Sequence, residues 1–419
     1  MEFTPNIIKY PHQIQPLMII DLTVRNYGPF RDSVTFSLIA SALKDDDEAV
    51  HESPSIRNGL LKSAVVFGPN ASGKTYLLEA MDYLRYVVES ARPEGLEIPG
   101  YIPFRLSKDA QGSPTGIRIR LLIDKVVYDY SIEYTSDRIV SESLYHSPNG
   151  RRTLVFSRGG ADQHVDESMM GKVTSVTSYL CVAASFNDAV CGIVYNGIMD
   201  IRFVPRMYFQ DIETAYRLCR NDHEIKEMML SALDAADFGI TDFEGEEHAV
   251  KYVGSDKDGR EFVRRFTDIS VIHDFEEADV DDDEKRFPMK IESQGTIEMF
   301  SLMGPVSDAL KNGRTLIIDD FGTDLHPLLT RWIFGLFNAP ENNNGAQLIV
   351  NTHDLGLMDI RDLFRRDQIW FTRKDRRNGS CSLYCLSDIT GVKKGSDIRR
   401  DYLMGRFDAI PKVVGVRRL

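Results

Sequence analysis

With 419 residues, 42% of them hydrophobic and 10% aromatic, the chain can bury one large core or two, which excludes global disorder. No apolar run approaches the roughly 18 residues of a membrane span, and the opening MEFTPNIIKYPHQIQP lacks the charged-then-apolar order of a secretion signal; a cytoplasmic location is expected. The net charge is −13, yet residues 361–419 hold 15 Lys/Arg against 7 Asp/Glu, a basic C-terminal part on an acidic body that reads either as a solvated surface or as a contact for a phosphate-rich or acidic partner such as DNA or RNA.

In chain order, residues 1–17 read as an extension, and Met18 begins a strand and turn, MIIDLTVRNYGPF. SAVVFGPN, residues 63–70, reads as a buried strand running into a glycine loop. That loop, Gly68, Pro69, Asn70, Ala71, Ser72, Gly73, Lys74 and Thr75, fits the pattern G-x-x-x-x-G-K-[ST]. Glycines let backbone N–H groups wrap phosphates, and a helix starting there turns its positive end toward them. Lys74 would then reach the outer phosphates of ATP, and the Thr75 hydroxyl would hold Mg²⁺. The following helix, KTYLLEAMDYLRYVVESAR, puts Leu77, Leu78, Met81, Leu84 and Val88 on one stripe. Between Ile117 and Val155 the alternation predicts antiparallel strands with turns at TSD and SPNG.

A helical section is expected over 211–236, then a hairpin, HAVKYVG-SDKDG-REFVRRF. The acidic stretch DFEEADVDDDE follows; as a calcium loop it lacks the required glycine and ends in Lys290 where a glutamate is needed, so it reads as solvated. ESQGT opens a helix whose N-terminus, Ser293, Gln294 and Gly295, can donate hydrogen bonds to an anion. RTLIIDDF is a buried strand closed by two acids: Asp319 to hold the metal and Asp320 to orient an attacking water. TDLHP places Asp324 and Pro327 at the start of a helix with Leu329, Trp332, Ile333 and Leu336 inward. The strand QLIV leads to NTHD, where His353 can meet a γ-phosphate; DQIWFTR is a further strand. Cys381 and Cys385 in CSLYC read as ordinary buried thiols, since five sparse cysteines make no disulfide framework and no second ligand pair lies nearby.

These elements predict an α/β protein of P-loop NTPase type, with one mixed central sheet assembled from distant segments, an antiparallel β lobe and a helical/hairpin insertion. The expected division is an extension (1–17), an N-terminal lobe (18–205), the insertion (206–288), a C-terminal lobe (289–375) and a basic tail (376–419). No repeat or coiled-coil heptad interrupts it.

In the order phosphate loop, ESQGT, LIIDDF, TDLHP, NTHD, the chain resembles the ABC-type ATPase superfamily. Within it, MIIDLTVRNYGPFRDSVTFSLIAS, RRDQIWF and YLMGRFDAIP resemble the stand-alone AAA-type ATPases of bacterial phage-defence and abortive-infection operons, the RloA/AbiL-like group. The resemblance implies a head-to-tail dimer, or a higher oligomer, with two ATP molecules sandwiched at the interface. Ser293, Gln294 and Gly295 would match the signature that serves a partner's γ-phosphate, Asp324 the loop crossing between subunits, and His353 the switch histidine. It further implies a switch acting on a partner effector, a nuclease or toxin encoded nearby. Two departures stand out: Asp320 occupies a position where the family carries glutamate, and GRFDA replaces Gly-Arg-Tyr-Gly-Ala. A carboxylate withdrawn by about 1 Å from its water can cost about a hundredfold in rate, so slow hydrolysis is expected. Gln210 is the candidate for the glutamine between the lobes, and Tyr27 or Phe30 for stacking on adenine. The other reading is an ATP-gated DNA clamp related to recombination-repair and chromosome-maintenance ATPases.

Overall fold

A computed structural model of the protein describes residues 17–43, 48–89, 92–98, 100–159, 163–206, 211–253, 261–275, 281 and 285–411. The extension before residue 17, Gln210 and most of the acidic stretch lie outside the described residues.

The chain begins with β1 (Leu17–Arg25), β2 (Val34–Ser37), the hairpin β3 (Val50–Ser53) and β4 (Ile56–Leu61), and β5 (Ser63–Phe67), which runs through the glycine loop into α1 (Lys74–Val88). The short α2 (Lys108–Gln111) precedes a meander of β6 (Thr115–Ile123), β7 (Val126–Tyr134), β8 (Ile139–Ser147) and β9 (Thr153–Arg158). Three helices, α3 (Glu167–Met170), α4 (Tyr179–Ser185) and α5 (Ala189–Asp200), lead to β10 (Arg202–Val204). Next come α6 (Ile212–Cys219), α7 (His223–Ala235), β11 (Ile240–Val253), β12 (Glu261–His273) and β13 (Arg286–Pro288). The chain then forms α8 (Gln294–Asn312), β14 (Thr315–Ile318), α9 (Pro327–Asn338), β15 (Gln347–Asn351), β16 (Ile369–Lys374), β17 (Cys381–Cys385) and α10 (Ile398–Leu403).

One six-stranded sheet has the order β2-β1-β6-β7-β8-β9, all antiparallel. The other has the order β10-β14-β15-β5-β16-β17, parallel except for its last pair. The central parallel strands β5, β14 and β15 are short, mostly apolar and buried throughout, as strands covered on both faces must be. Alternation along them divides the interior in two. Ala64 and Val66 of β5 join one core with the antiparallel sheet and α1, while Val65 and Phe67 join a second core. Ile317, Ile349 and Trp370 repeat the first choice, and Leu316, Leu348 and Phe371 the second. The central sheet is therefore the wall between two cores.

The second core is built around α8, in which every residue from Thr296 to Ala309 is buried. Its apolar content all round marks a core helix. It crosses α6 closely because residue 304 is glycine: a Cβ there would lie 2.6 Å from the Ala215 Cα. Phe243 of the β11–β12 hairpin meets Phe300 edge-on at 4.9 Å, tying the insertion to α8. The basic C-terminal segment packs on both cores: β17 borders the sheet and buries Cys381 and Cys385 in the first, and α10 buries Ile398 and Tyr402 in the second.

Two features differ from the sequence reading. On α9 the buried stripe is Thr330, Ile333, Phe334 and Phe337, with Leu329, Trp332 and Leu336 only half-buried. The Phe334 ring sits edge-on between Phe321 at 5.7 Å and Phe364 at 4.7 Å, and that aromatic cluster sets the rotation of the helix. The helices α3–α5 were not anticipated, although Ser178 and Asp188 cap α4 and α5 by accepting from the Cys181 and Cys191 N–H groups. Among the described residues no helix is long and apolar enough to cross a membrane.

Candidate functional site

The C-terminal ends of β5, β14 and β15 lie side by side, and the residues just beyond them form the site. After β5 the chain turns back sharply. At Gly68 a Cβ would come 2.2 Å from the Thr372 Oγ1 and 2.8 Å from the Thr372 carbonyl of β16, so no side chain fits. Ala71 takes a left-handed conformation, with φ 59°, and so does Gly73, with φ 98°, where a Cβ would press on Pro29 and Phe30 at 2.9 Å. The Ser72 hydroxyl locks the loop, donating to the Pro69 carbonyl at 2.7 Å and meeting the Thr372 hydroxyl at 2.6 Å. Asn70 and Ala71 form the exposed crest. Neither a side-chain cap nor an acid occupies the first turn of α1, so its amides face outward as donors for an anion.

Lys74 is 7% exposed, and its Nζ donates to the Gly68 carbonyl at 3.0 Å and the Pro69 carbonyl at 3.3 Å. The His353 Nε2 lies 3.2 Å from the same ammonium. Burial pushes the Lys74 pKa below the ordinary lysine range, while Asp320 and Asp319 pull it up. Partial burial and then the Lys74 charge push the His353 imidazole down, which keeps it neutral near pH 7 and able to accept from Lys74.

Thr75 donates its hydroxyl proton to the Asp319 Oδ1 at 2.9 Å. The Asp319 N–H bonds the Val204 carbonyl at 3.0 Å, anchoring the acid to β10. Asp320 has φ 59°, a strained choice for a non-glycine residue that turns the two successive carboxylates apart. Asn351, at the end of β15, bridges them: its Nδ2 donates to the Asp319 Oδ1, and its Oδ1 accepts the Asp320 N–H at 2.8 Å. The Asp320 Oδ2 is paired with Arg206 at 2.7 Å. A hydroxyl and a carboxylate placed together beside a lysine loop suit a hard cation that takes few protein ligands and completes its shell from phosphate and water. The donor set of Thr75 and Asp319 therefore fits Mg²⁺.

A second group lies at the tip of α8. Ser293 is its N-cap, with Oγ accepting the Thr296 N–H at 3.1 Å, and Ser293 and Gln294 are exposed. Asp324, also exposed, sits in the loop after Asp320, and its carbonyl would be 3.2 Å from a Cβ at Gly295. Tyr27 and Phe30 are both fully buried, so neither ring offers a face to a base. Tyr76, directly after Thr75 and 37% exposed, packs edge-on against Tyr27 at 6.0 Å.

Arg206, Asn351 and Thr372 escaped the sequence reading. Asn351 had a signal, as the polar end of an apolar strand two residues before His353. Arg206 had none, since only the pairing of β10 with β14 brings it to Asp320. Among the described residues no cluster of three or more His, Cys, Asp or Glu side chains could hold a metal without further ligands.

Residues 63–166 and 226–359, more than half of the chain, match a family model described as "AAA domain, putative AbiEii toxin, Type IV TA system". No curated protein matches the sequence. Among solved structures, the chain is similar to an SMC head bound to the C-winged helix domain of ScpA, at 13% identity over 88% of this chain and 97% of that one, with a TM-score of 0.47. It is similar to the SMC head domain from Thermotoga maritima, at 11% identity over 88% and 98%, TM-score 0.41. It is also similar to an SMC head with an extended coiled coil bound to the C-terminal domain of ScpA, from Pyrococcus furiosus, at 13% identity over 94% and 100%, TM-score 0.45.

Proposed function

The chain is an ABC/AAA-type P-loop ATPase and belongs to the AAA-domain family of the AbiEii-toxin, type IV TA kind, and on that premise we propose that it is a slow ATP-driven switch that works as a pair of copies and controls a partner effector. The observation that carries the reading is the junction of Lys74, Thr75 and Asp319, where a buried ammonium, a hydroxyl and a carboxylate meet at an uncapped helix start.

In this reading the loop from Gly68 to Thr75 wraps the phosphates with backbone amides, and Lys74 leaves the two loop carbonyls to bind the outer ones. Mg²⁺, held by Thr75 and Asp319, would neutralise phosphate charge during hydrolysis. Asp320 orients the attacking water and takes its proton, and neutral His353 hydrogen-bonds the γ-phosphate side. Ser293 and Gln294, exposed at a helix start, with the half-buried Gly295 beside them, and Asp324 close on the nucleotide of a second copy. The exposure of Ser293, Gln294 and Asp324 beside a helix start supports that use. The family description names a type IV toxin–antitoxin system, which supports a setting of paired components; the effector nuclease or toxin as the controlled partner, and anti-phage defence as the setting, follow from the sequence resemblance.

The test is sedimentation and turnover with saturating Mg·ATP. The wild type is expected to dimerise, and Ser293→Arg to abolish both dimer and turnover while leaving ATP binding by the monomer. A chain that stays monomeric, with turnover indifferent to Ser293→Arg, overturns the reading.

A DNA clamp is favoured by one observation: Lys393, Lys394, Arg399 and Arg400 are all exposed around α10. Salt-dependent binding of duplex DNA, lost when Arg399 and Arg400 become alanine, would establish it.

A further inference from the structure

Glu298 lies five residues beyond the Ser293 cap on α8 and is only 1% exposed. A carboxylate in that position needs a cation or several donors, and it forms no ion pair among the described residues. Its Oε2 accepts the Asp324 N–H at 2.9 Å, and its Oε1 has no hydrogen-bond partner among the described residues. The loop it holds starts at Asp320 and ends at His326, which caps α9 by accepting the Leu328 N–H at 3.2 Å.

Asp324 is thus gripped twice by the same helix. Its amide goes to Glu298, and its carbonyl rests on Gly295, one turn nearer the tip, where any larger residue would press on it at 3.2 Å. Two groups assigned above to a second copy's nucleotide, the Ser293–Gly295 tip and Asp324, are joined through one buried acid. Burial raises the Glu298 carboxyl to about 7; the Asp324 and Thr323 amides pull it down, and the Asp324 charge pushes it up. The charged groups facing it are Asp324 from the loop and Arg206 from the segment after β10, the same Arg206 that pairs with Asp320.

We propose that Glu298 is a positioning residue that fixes the Ser293–Gly295 tip and Asp324 as one rigid clamp for the nucleotide of a second copy. The inference rests on the two-copy reading above. The ionised carboxylate is the stronger acceptor for the Asp324 N–H, so the clamp firms as the acid loses its proton.

The experiment measures ATP-dependent dimerisation and steady-state turnover from pH 6 to pH 9 in the wild type, Glu298→Gln and Glu298→Leu. Binding of a fluorescent ATP analogue to the monomer and far-UV circular dichroism serve as folding controls. Wild-type dimerisation is expected to strengthen through about pH 7, and the Gln variant to lose that step. Removing the acceptor in Glu298→Leu is expected to weaken the dimer by roughly tenfold to a hundredfold, with monomer ATP binding unchanged. Glu298 variants that dimerise and turn over as the wild type does, with the same pH step, overturn this inference alone. A wild type that never dimerises at any pH overturns the two-copy reading and this inference with it.

Discussion

Replacing Glu298 by glutamine has a consequence for folding that can be worked out separately from function. The acid titrates near 4.5 in the ordinary case and near 7 here, because burial penalises its charge. Folding therefore takes up a proton between those two values. The stability this contributes is fully present below about pH 4.5, is lost as the pH rises through about 7, and stays lost above. At about 1.4 kcal/mol per pKa step the whole loss is about 3.5 kcal/mol, of which about 2.5 kcal/mol falls between about pH 5 and pH 8. Glutamine keeps the volume and an acceptor oxygen for Asp324 but carries no such linkage. Urea unfolding of both proteins at each pH should show the variant gaining about 2.5 kcal/mol on the wild type between the acid and the alkaline condition. Other titrating groups are common to both chains and cancel in the difference. Parallel wild-type and variant curves would falsify the argument that burial dominates at this residue.

Gly68→Ala should destabilise by about 1–3 kcal/mol and abolish nucleotide binding, because the added methyl meets both the Thr372 hydroxyl and the Thr372 carbonyl. Urea midpoints and titration with a fluorescent ATP analogue would show it, and normal binding would mean the loop yields. Asp320→Glu should raise turnover by up to about a hundredfold if reach is what limits the water-orienting acid; no gain counts against the shortened carboxylate as the cause of slow hydrolysis. Arg206→Ala removes the cation paired with the Asp320 carboxylate and should change turnover by about tenfold or more while leaving ATP affinity within about twofold. A fall in affinity alone would place Arg206 on the nucleotide instead. All five thiols are buried, and burial raises Cys219 and Cys381 to about 11 and Cys385 to about 12. A thiol reagent at pH 8 should label none of them until the protein unfolds.

Much of this architecture was legible because single stretches held both the signal and its cause. FGPNASGKT shows its turn through glycines that the structure places against Thr372 and Phe30, and TLII and QLIV read as covered strands because three consecutive apolar residues leave no face for solvent. Ser293 reads as a helix start because serine before a long apolar helix is a cap. What was not legible depends on partners far apart in the chain. Arg206 reaches Asp320, Asn351 joins the two acids just beyond a neighbouring strand, and Glu298 becomes unusual only once α8 is buried on all sides. The rotation of α9 was misread for a related reason: periodicity allowed two neighbouring stripes, and the rings of Phe321 and Phe364, outside the helix, chose between them.

The place of β17 at the border of the parallel sheet decides how the cationic end of the chain can be studied. Its Cys381 N–H bonds the Pro29 carbonyl at 2.8 Å, beside the ring that walls the glycine loop, and Tyr402 from α10 stacks on Phe371 at 5.9 Å. Cutting the chain before residue 381 would bare the edge of β16 and a face of aromatic rings, inviting aggregation and disturbing the phosphate loop from behind. A truncated protein that failed to bind nucleic acid would therefore say nothing about charge. Only substitutions that leave the backbone whole, such as Lys393→Glu with Arg399→Glu, can ask that question.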